Sequence, residues 1–405
     1  RVRFVNRSGE ETVVHWHGLI VPDSMDGHPR FTVQDGDEFV YEFPVLNRAG
    51  TYWYHPHPHM LTGPQVALGL AGLFLVSDPE EAALALPRGS SDIPLVLQDR
   101  AFDEENQIQY FTDMAHGGYW GRQVLVNGKA DAELSVATRV YRLRILNGSN
   151  SRTYKLAWHD GRPFIVLGTD GGLLARPVER PYLTLAPAER VEVWLDLRGD
   201  AVGSELRLES LAYEPGGMPI FIPYGPGTPF EILRVRVEEA AEDSLALPGR
   251  LIPFDRHRLE DAVNAGDPRT FAASHEGGLW LLNGAPFEME EVAPNEVVRL
   301  DDLEVWELTN VWGRYKEQLP HPIHLHGVQF QVFERTMRPY GEQDYRELRD
   351  GFVDEGWKDT FLLPAGGTAK ILVRFVEYPG LFLYHCHNLE HEDMGMMRNF
   401  RIEPG

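Results

Sequence analysis

Leu125-Val126-Asn127-Gly128, followed by Tyr141-Arg142-Leu143-Arg144-Ile145-Leu146-Asn147, recurs as Leu281-Leu282-Asn283-Gly284 followed by Glu304-Val305-Trp306-Glu307-Leu308-Thr309-Asn310. An apolar run, an Asn-Gly turn and a later alternating run make one β unit, and its repetition predicts two domains on one plan. Val2-Arg3-Phe4-Val5-Asn6 has the second half of the unit without the turn before it, which predicts a first domain lacking its N-terminal strands. Alternation in Val191-Glu192-Val193-Trp194-Leu195-Asp196-Leu197, in Glu205-Leu206-Arg207-Leu208-Glu209 and in Ile371-Leu372-Val373-Arg374-Phe375 predicts half-buried strands. The 39 Gly and 29 Pro supply the turns between such runs. Helical periodicity is scarce, with at most a turn or two over residues 79–86. The expectation is an all-β chain of three Greek-key sandwich or barrel domains over residues 1–80, 91–238 and 269–405. The boundaries fall near 77–91 and in the Pro- and acid-rich stretch 236–268.

Composition narrows the function. The 405 residues are 43% apolar and 24% charged, as in a soluble globular protein. No apolar run approaches the ~20 residues needed to cross a bilayer, so a membrane-embedded role is not expected. A net charge of −23 would repel nucleic acid and anionic lipid and favours neither as a partner. The single cysteine cannot form an internal disulfide, which leaves the compartment open and the thiol in need of another explanation. No targeting pattern opens the chain at Arg1-Val2-Arg3-Phe4-Val5-Asn6, and a mature or trimmed chain is expected.

The histidines are not scattered. Side chains at i and i+2 of a strand share a face, so His-x-His offers two imidazoles to one side of a sheet. Random placement of 16 His would give roughly 0.6 such pairs. The chain has five: His15/His17, His55/His57, His57/His59, His324/His326 and His385/His387. They fall in repeat-related places: His15-Trp16-His17-Gly18 leads to Thr51-Tyr52-Trp53-Tyr54-His55-Pro56-His57 as His324-Leu325-His326-Gly327 leads to Leu381-Phe382-Leu383-Tyr384-His385-Cys386-His387. The middle domain keeps only His159 in the counterpart Ala157-Trp158-His159-Asp160-Gly161. Imidazole suits copper, zinc and iron alike.

The segment His385-Cys386-His387-Asn388-Leu389-Glu390-His391-Glu392-Asp393-Met394-Gly395-Met396-Met397 is more specific. A thiolate, two imidazoles and a long axial Met are the ligand set of a blue copper, one-electron site. Cys386, His391 and Met396 supply three of these, and His321, in His321-Pro322-Ile323-His324-Leu325-His326-Gly327, is the candidate fourth. Cys386 faces one side of its strand while His385 and His387 face the other, making a short covalent path between two centres. Ligands from both outer domains place the second centre at a domain interface, so docking of the first and last domains becomes a condition of activity.

These four segments, in this order, resemble the copper-binding segments of the multicopper oxidases, in particular the three-domain laccase-like bacterial branch, over nearly the whole chain. The resemblance implies cupredoxin-like domains and four coppers per chain. His321, Cys386, His391 and Met396 would hold a type 1 copper. His15 and His324 would hold the type 2 ion, His17, His55 and His387 one type 3 ion, and His57, His326 and His385 the other. Asp26 and Glu392 match positions where the family has carboxylates that handle protons in dioxygen reduction. The implied reaction is one-electron oxidation of phenolic or aromatic amine donors coupled to four-electron reduction of dioxygen to water, in the periplasm or outside the cell. Relatives that oxidise cuprous ion have a Met-rich insertion where this chain has the Met-free stretch Tyr340-Gly341-Glu342-Gln343-Asp344-Tyr345-Arg346-Glu347-Leu348-Arg349-Asp350. A cuprous or ferrous metallo-oxidase is the alternative enzyme. A copper electron carrier without oxygen chemistry is the alternative from another class, though it would need no cluster of eight histidines.

Asp359, in Gly356-Trp357-Lys358-Asp359, is a candidate for orienting a ligand or substrate, or else an ion-pair partner of Lys358 or Arg374. His59 is expected outside the ligand set. His28, His116, His159, His257 and His275 have no partner at ligand spacing and read as ordinary surface or core residues. Tyr52, Trp53, Tyr54 and Tyr384 read as core packing.

Overall fold

The computed structural model describes residues 1–111, 117–214, 224–310 and 319–405. The chain is all-β, with three cupredoxin-like domains. Strands from the first domain make a two-stranded sheet, Val2–Val5 with Glu38–Tyr41, and a three-stranded sheet, Val14–His15, Gly50–Pro56 and Gly72–Val76. The middle domain packs a seven-stranded sheet on a five-stranded one, and the last domain packs two five-stranded sheets. Each of the larger domains closes over its own apolar core, around Leu143, Leu156 and Val235 in one and Ile323, Phe361 and Ile371 in the other.

The sequence repeat is a repeat of backbone geometry. Asn127 and Gly128 have φ of 51° and 78°, and Asn283 and Gly284 have 56° and 69°. Positive φ at both central residues is what a two-residue hairpin turn requires, and Asn-Gly tolerates it best. Both Asn side chains also tie the turn to the neighbouring strand, accepting from Val96 N at 2.8 Å and from Ala272 N at 2.9 Å. Beside each turn a parallel pairing follows, Asp92–Arg100 with Val140–Asn147 and Arg269–Glu276 with Leu303–Asn310.

One expectation needs correcting. The strand Arg190–Asp196 is buried along six of its seven residues, not on one face. Glu192 accepts from Thr51 Oγ1 at 2.8 Å and pairs with Arg142 and Arg144, so the polar face of the strand lies against the first domain rather than water. Buried charges persist there because they are paired. The polar stretch 340–350 also contains a short helix, Glu342–Leu348.

Candidate metal centres

The same local construction presents the histidines twice. Val14–His15 runs antiparallel to Gly50–Pro56 with His15 opposite His55, and His321–Leu325 runs antiparallel to Gly380–Cys386 with His324 opposite His385. The two hairpin-like pairs face each other across the junction of the first and last domains. Three all-histidine groups result, each with donor atoms mutually within 4.8 Å: His15, His17 and His324; His17, His55 and His387; His57, His326 and His385; Asp26 forms a mixed group with His15 and His326. A further group is His321, Cys386 and His391, with Cys386 Sγ 3.4 Å and 3.6 Å from the two Nδ1 atoms. Met396 is fully buried in the same apolar cluster as Cys386.

Two aspartates brace the cluster crosswise. In the first domain, the Asp26 carbonyl accepts from His15 Nδ1 at 2.6 Å, while its carboxylate accepts from His326 Nδ1 of the last domain at 2.8 Å. In the last domain, the Asp359 carbonyl accepts from His324 Nδ1 at 2.8 Å, while its carboxylate accepts from His17 Nε2 of the first at 3.1 Å. Each aspartate thus fixes one imidazole of its own domain and one of the other. Such outer partners set which ring nitrogen carries its lone pair inward.

The carboxylates differ in what else they meet. Asp359 is gripped by both Nη atoms of Arg190, at 2.7 Å and 2.6 Å, and Arg190 Nε donates to the Thr51 carbonyl at 2.9 Å. Among the described residues the middle domain contributes none of the grouped histidines, and it reaches the cluster through the Arg190 guanidinium and the Asp170 carboxylate, which accepts from Asp359 N and Thr360 N at 3.4 Å. The expected alternative pairing of Asp359 with Lys358 or Arg374 is not what forms: Lys358 Nζ pairs with Asp170 at 3.1 Å and Glu189 at 2.9 Å, and Arg374 donates to the Asp301 carbonyl at 2.8 Å. Among the described residues Asp26 meets two imidazoles, His15 and His326, and no guanidinium or ammonium. Burial raises its carboxyl above the usual value, and its Oδ1 stands 3.4 Å from His15 Nδ1. Glu392 is likewise buried, 3.1 Å from His385 Nδ1 and 3.5 Å from His57 Nε2.

The donor set fits a metal. With Nδ1 committed to a carbonyl or carboxylate, the Nε2 lone pairs face one another: His15 and His324 at 3.2 Å, His326 and His385 at 3.0 Å. Facing lone pairs in a buried site repel unless a cation lies among them. Burial and neighbouring imidazoles hold His17, His55, His324, His326 and His387 well below the ordinary histidine value, and burial brings His57 and His321 down to about 3. Neutral imidazole is the ligating form. Burial also pushes the Cys386 thiol up, so a thiolate there requires a metal to stabilise it.

The remaining residues sort by contact. Trp53 packs on His17 and His55, at 5.1 Å and 4.3 Å between ring centroids, and Tyr52 and Tyr384 are buried, but Tyr54 is 38% exposed and so lies outside the core. His59 stands in none of these groups and lies on Phe287. His28 and His159 accept backbone N–H groups from Arg30 and Arg207. His257 sits edge-on to Trp357. His116 lies outside the described residues. Trp280, which the spacing of histidines gives no reason to notice, stacks on His391 with centroids 3.9 Å apart.

A buried thiol with two imidazoles and a Met, wired by one chain segment to a nest of eight imidazoles, defines a copper-type redox protein. Two family models described as multicopper oxidase match residues 1–81 and 252–405. A laccase from Bacillus stratosphericus is 35% identical over 97% of this chain and 80% of its own. The solved McoA multicopper oxidase of the hyperthermophile Aquifex aeolicus superposes with a TM-score of 0.86 at 34% identity, covering 99% of this chain and 86% of that one. A solved multicopper oxidase from Campylobacter jejuni, described as a metallo-oxidase, gives 0.81 at 27% identity over 100% of this chain and 82% of that one. The chain belongs to the multicopper oxidases, copper-dependent oxidoreductases that use oxygen and a reducing substrate. Among the described residues, no helix is long and apolar enough to cross a membrane.

Proposed function

We propose that the chain is a laccase-like oxidase that takes single electrons from phenolic or aromatic amine donors and delivers four of them to dioxygen, giving water. The observation that carries this reading is Cys386, which stands in one donor group while its chain neighbours His385 and His387 stand in two others. His321, Cys386, His391 and Met396 would hold a type 1 copper, His15 and His324 a type 2 ion, and His17/His55/His387 and His57/His326/His385 the two type 3 ions. Bound there, copper would supply one-electron exchange at the thiolate site and dioxygen reduction at the cluster.

The protein's own part is positional and protonic. Asp26 and Asp359 orient four of the imidazoles, and the first and last domains must dock for any of the three histidine groups to be complete. The Asp26 carboxyl, raised by burial, is the group suited to holding a proton for the oxygen side, whereas Glu392, which burial raises but His57 and His385 pull well below the usual carboxylate range, stays ionised and is suited to accepting one. The enzyme would work in the periplasm or outside the cell, which fractionation of the native host with an antibody to the chain tests.

The second reading, oxidation of cuprous or ferrous ion, is favoured by the Campylobacter jejuni metallo-oxidase neighbour. The helix Glu342–Leu348, polar and without Met in the stretch where cuprous oxidases carry Met-rich insertions, favours organic donors. Oxygen uptake decides: a kcat/KM for a methoxyphenol above that for cuprous ion supports the laccase-like reading, and the reverse order establishes the metallo-oxidase.

A further inference from the structure

Away from the histidine groups, the domains meet around a cavity of about 330 Å³. Its wall is drawn from the first domain at Leu46 and Arg48, from the stretch ahead of the strand Arg269–Glu276 at Phe254 and His257, and from the last domain at Trp357 and Arg374. The middle domain holds Trp357 in place. The Trp357 carbonyl accepts from Gly171 N and from Thr169 Oγ1, each at 2.9 Å, and a Cβ on Gly171 would stand 2.4 Å from that of Trp357. The Phe254 and His257 rings lie 5.9 Å and 5.1 Å from the Trp357 ring, the second edge-on at 82°. The apolar part of the wall is thus largely aromatic, and Leu46, 44% exposed, carries it to the surface.

The polar part of the wall is cationic and unpaired. The chain carries a net charge of −23, yet among the described residues no Asp or Glu lines this cavity. Arg48 Nη2 donates to the Leu173 carbonyl at 3.2 Å and its Cζ lies 5.2 Å from the Phe254 ring centre, while Arg374 Nη1 donates to the Asp301 carbonyl. Among the described residues neither guanidinium hydrogen-bonds to a carboxylate, and Arg48 Nη1 and His257 Nε2 are buried without a hydrogen-bond partner. Burial lowers Arg48 below the ordinary arginine value, although Tyr52, Glu80 and Asp78 oppose it. The acids near His257 do not supply the missing anion: Asp261 is held by Arg258 at 2.8 Å, and Asp255 is exposed. A buried charged donor left unpaired is costly, and a bound anion would relieve it. We propose that this cavity binds an aromatic carboxylate, whose carboxylate pairs with the Arg48 guanidinium and whose ring packs on Phe254 and Trp357. A guanidinium matches a carboxylate with two parallel hydrogen bonds, Arg374 adds its charge, and His257 Nε2 is a further donor at the wall. An apolar cavity of this size with a few polar groups is the usual form of a small-molecule site. None of the grouped histidines lines it, so the inference does not rest on the copper assignment. An occupant would touch the first and last domains at once and so tie the junction that holds the histidines.

The test is titration calorimetry of the copper-loaded enzyme with cinnamate, which has no phenol to be oxidised, in wild type and Arg48→Met. Cinnamamide, which keeps the ring and loses the charge, acetate, which keeps the charge and loses the ring, and sulfate are titrated beside it. The expected result is one cinnamate per chain, with each of the three other compounds weaker by about tenfold or more, and cinnamate weakened by about tenfold or more in Arg48→Met. The visible spectrum should not change on binding. Saturating cinnamate should raise the melting temperature of wild type by about 2 °C or more and leave that of Arg48→Met unmoved. No binding to wild type would overturn the proposal. Cinnamamide binding as tightly as cinnamate, or acetate or sulfate matching it, would overturn the aromatic carboxylate as occupant. A spectrum that shifts with binding would put the carboxylate on a metal, and equal affinity in Arg48→Met would put it elsewhere on the chain; either result rejects this site. If Arg48→Met does not fold, the comparison of ligands on wild type decides alone.

Discussion

Replacing Arg190 by Met keeps a stem of similar length while deleting a charge that is fully buried against an equally buried Asp359. The guanidinium makes hydrogen bonds to Asp359, to the Thr51, Ala188 and Asp170 carbonyls, and stands 3.7 Å from Asp170 Oδ1. Burial lowers its pKa, but Asp359 and Asp170 more than offset that and carry it above the ordinary arginine value. Breaking a buried pair from one side leaves an uncompensated charge and costs about 3–5 kcal/mol. Arg190→Met should therefore lower the melting temperature by roughly 5 °C or more. It should also reduce type 2 copper occupancy, since Asp359 orients His324 through its carbonyl and His17 through its carboxylate. The effect should persist in high salt, because neither group meets solvent. Asp359→Asn in the Arg190→Met background removes the stranded anion, so the double variant should be more stable than Arg190→Met alone. Calorimetry and the type 2 paramagnetic signal read the two effects. If Arg190→Met melts within about 1 °C of wild type, or if the two substitutions simply add, the crosswise brace is not what holds the cluster.

Further expectations follow from other contacts. Asp26→Asn and Glu392→Gln should slow reoxidation by dioxygen by about tenfold or more while leaving anaerobic reduction of the blue band unchanged; equal turnover with excess donor would remove both from proton handling. Gly18 has φ of +84°, and a Cβ there would stand 2.3 Å from Asp359 Oδ2, so Gly18→Ala should destabilise the protein and deplete type 2 copper, whereas full copper content at wild-type melting temperature would contradict the close packing. His28 is lowered from 6.5 to about 4, chiefly by burial, so the unfolded chain takes its proton first and stability falls as pH drops from about 6.5 towards 4. The loss amounts to about 3 kcal/mol; His28→Gln should melt with a flatter dependence over that window, and an unchanged slope would show that another group sets it.

The fold was legible because its signals are local. Two Asn-Gly turns with positive φ and the alternating runs beside them announce strands, and a His-x-His pair on a strand announces a shared face whatever surrounds it. The third dimension was legible only where the chain repeats itself, as in His15 opposite His55 and His324 opposite His385. Contacts between domains left no such trace. The alternation of the strand Arg190–Asp196 predicts a polar, solvent-facing side, but Arg190 and Glu192 on that side are buried against the first domain. Two like-placed charges at strand spacing were the available hint. Asp359 drew notice for its neighbours in sequence, Lys358 and, further on, Arg374, whereas its true partner lies 169 residues away. Trp280 precedes an Asn-Gly turn as any strand residue would, and only folding places it on His391.

On the proposed reading one chain carries a thiolate site and a separate eight-imidazole cluster joined through Cys386. Copper analysis of the purified, copper-loaded protein, paired with anaerobic titration by a one-electron reductant, tests it most directly. Four copper ions and four reducing equivalents per chain are expected, one ion for each donor group of the proposed assignment, with the blue band lost on reduction and restored by dioxygen. One copper and one equivalent per chain, with a reduced protein that dioxygen leaves unchanged, would mean a carrier and contradict it.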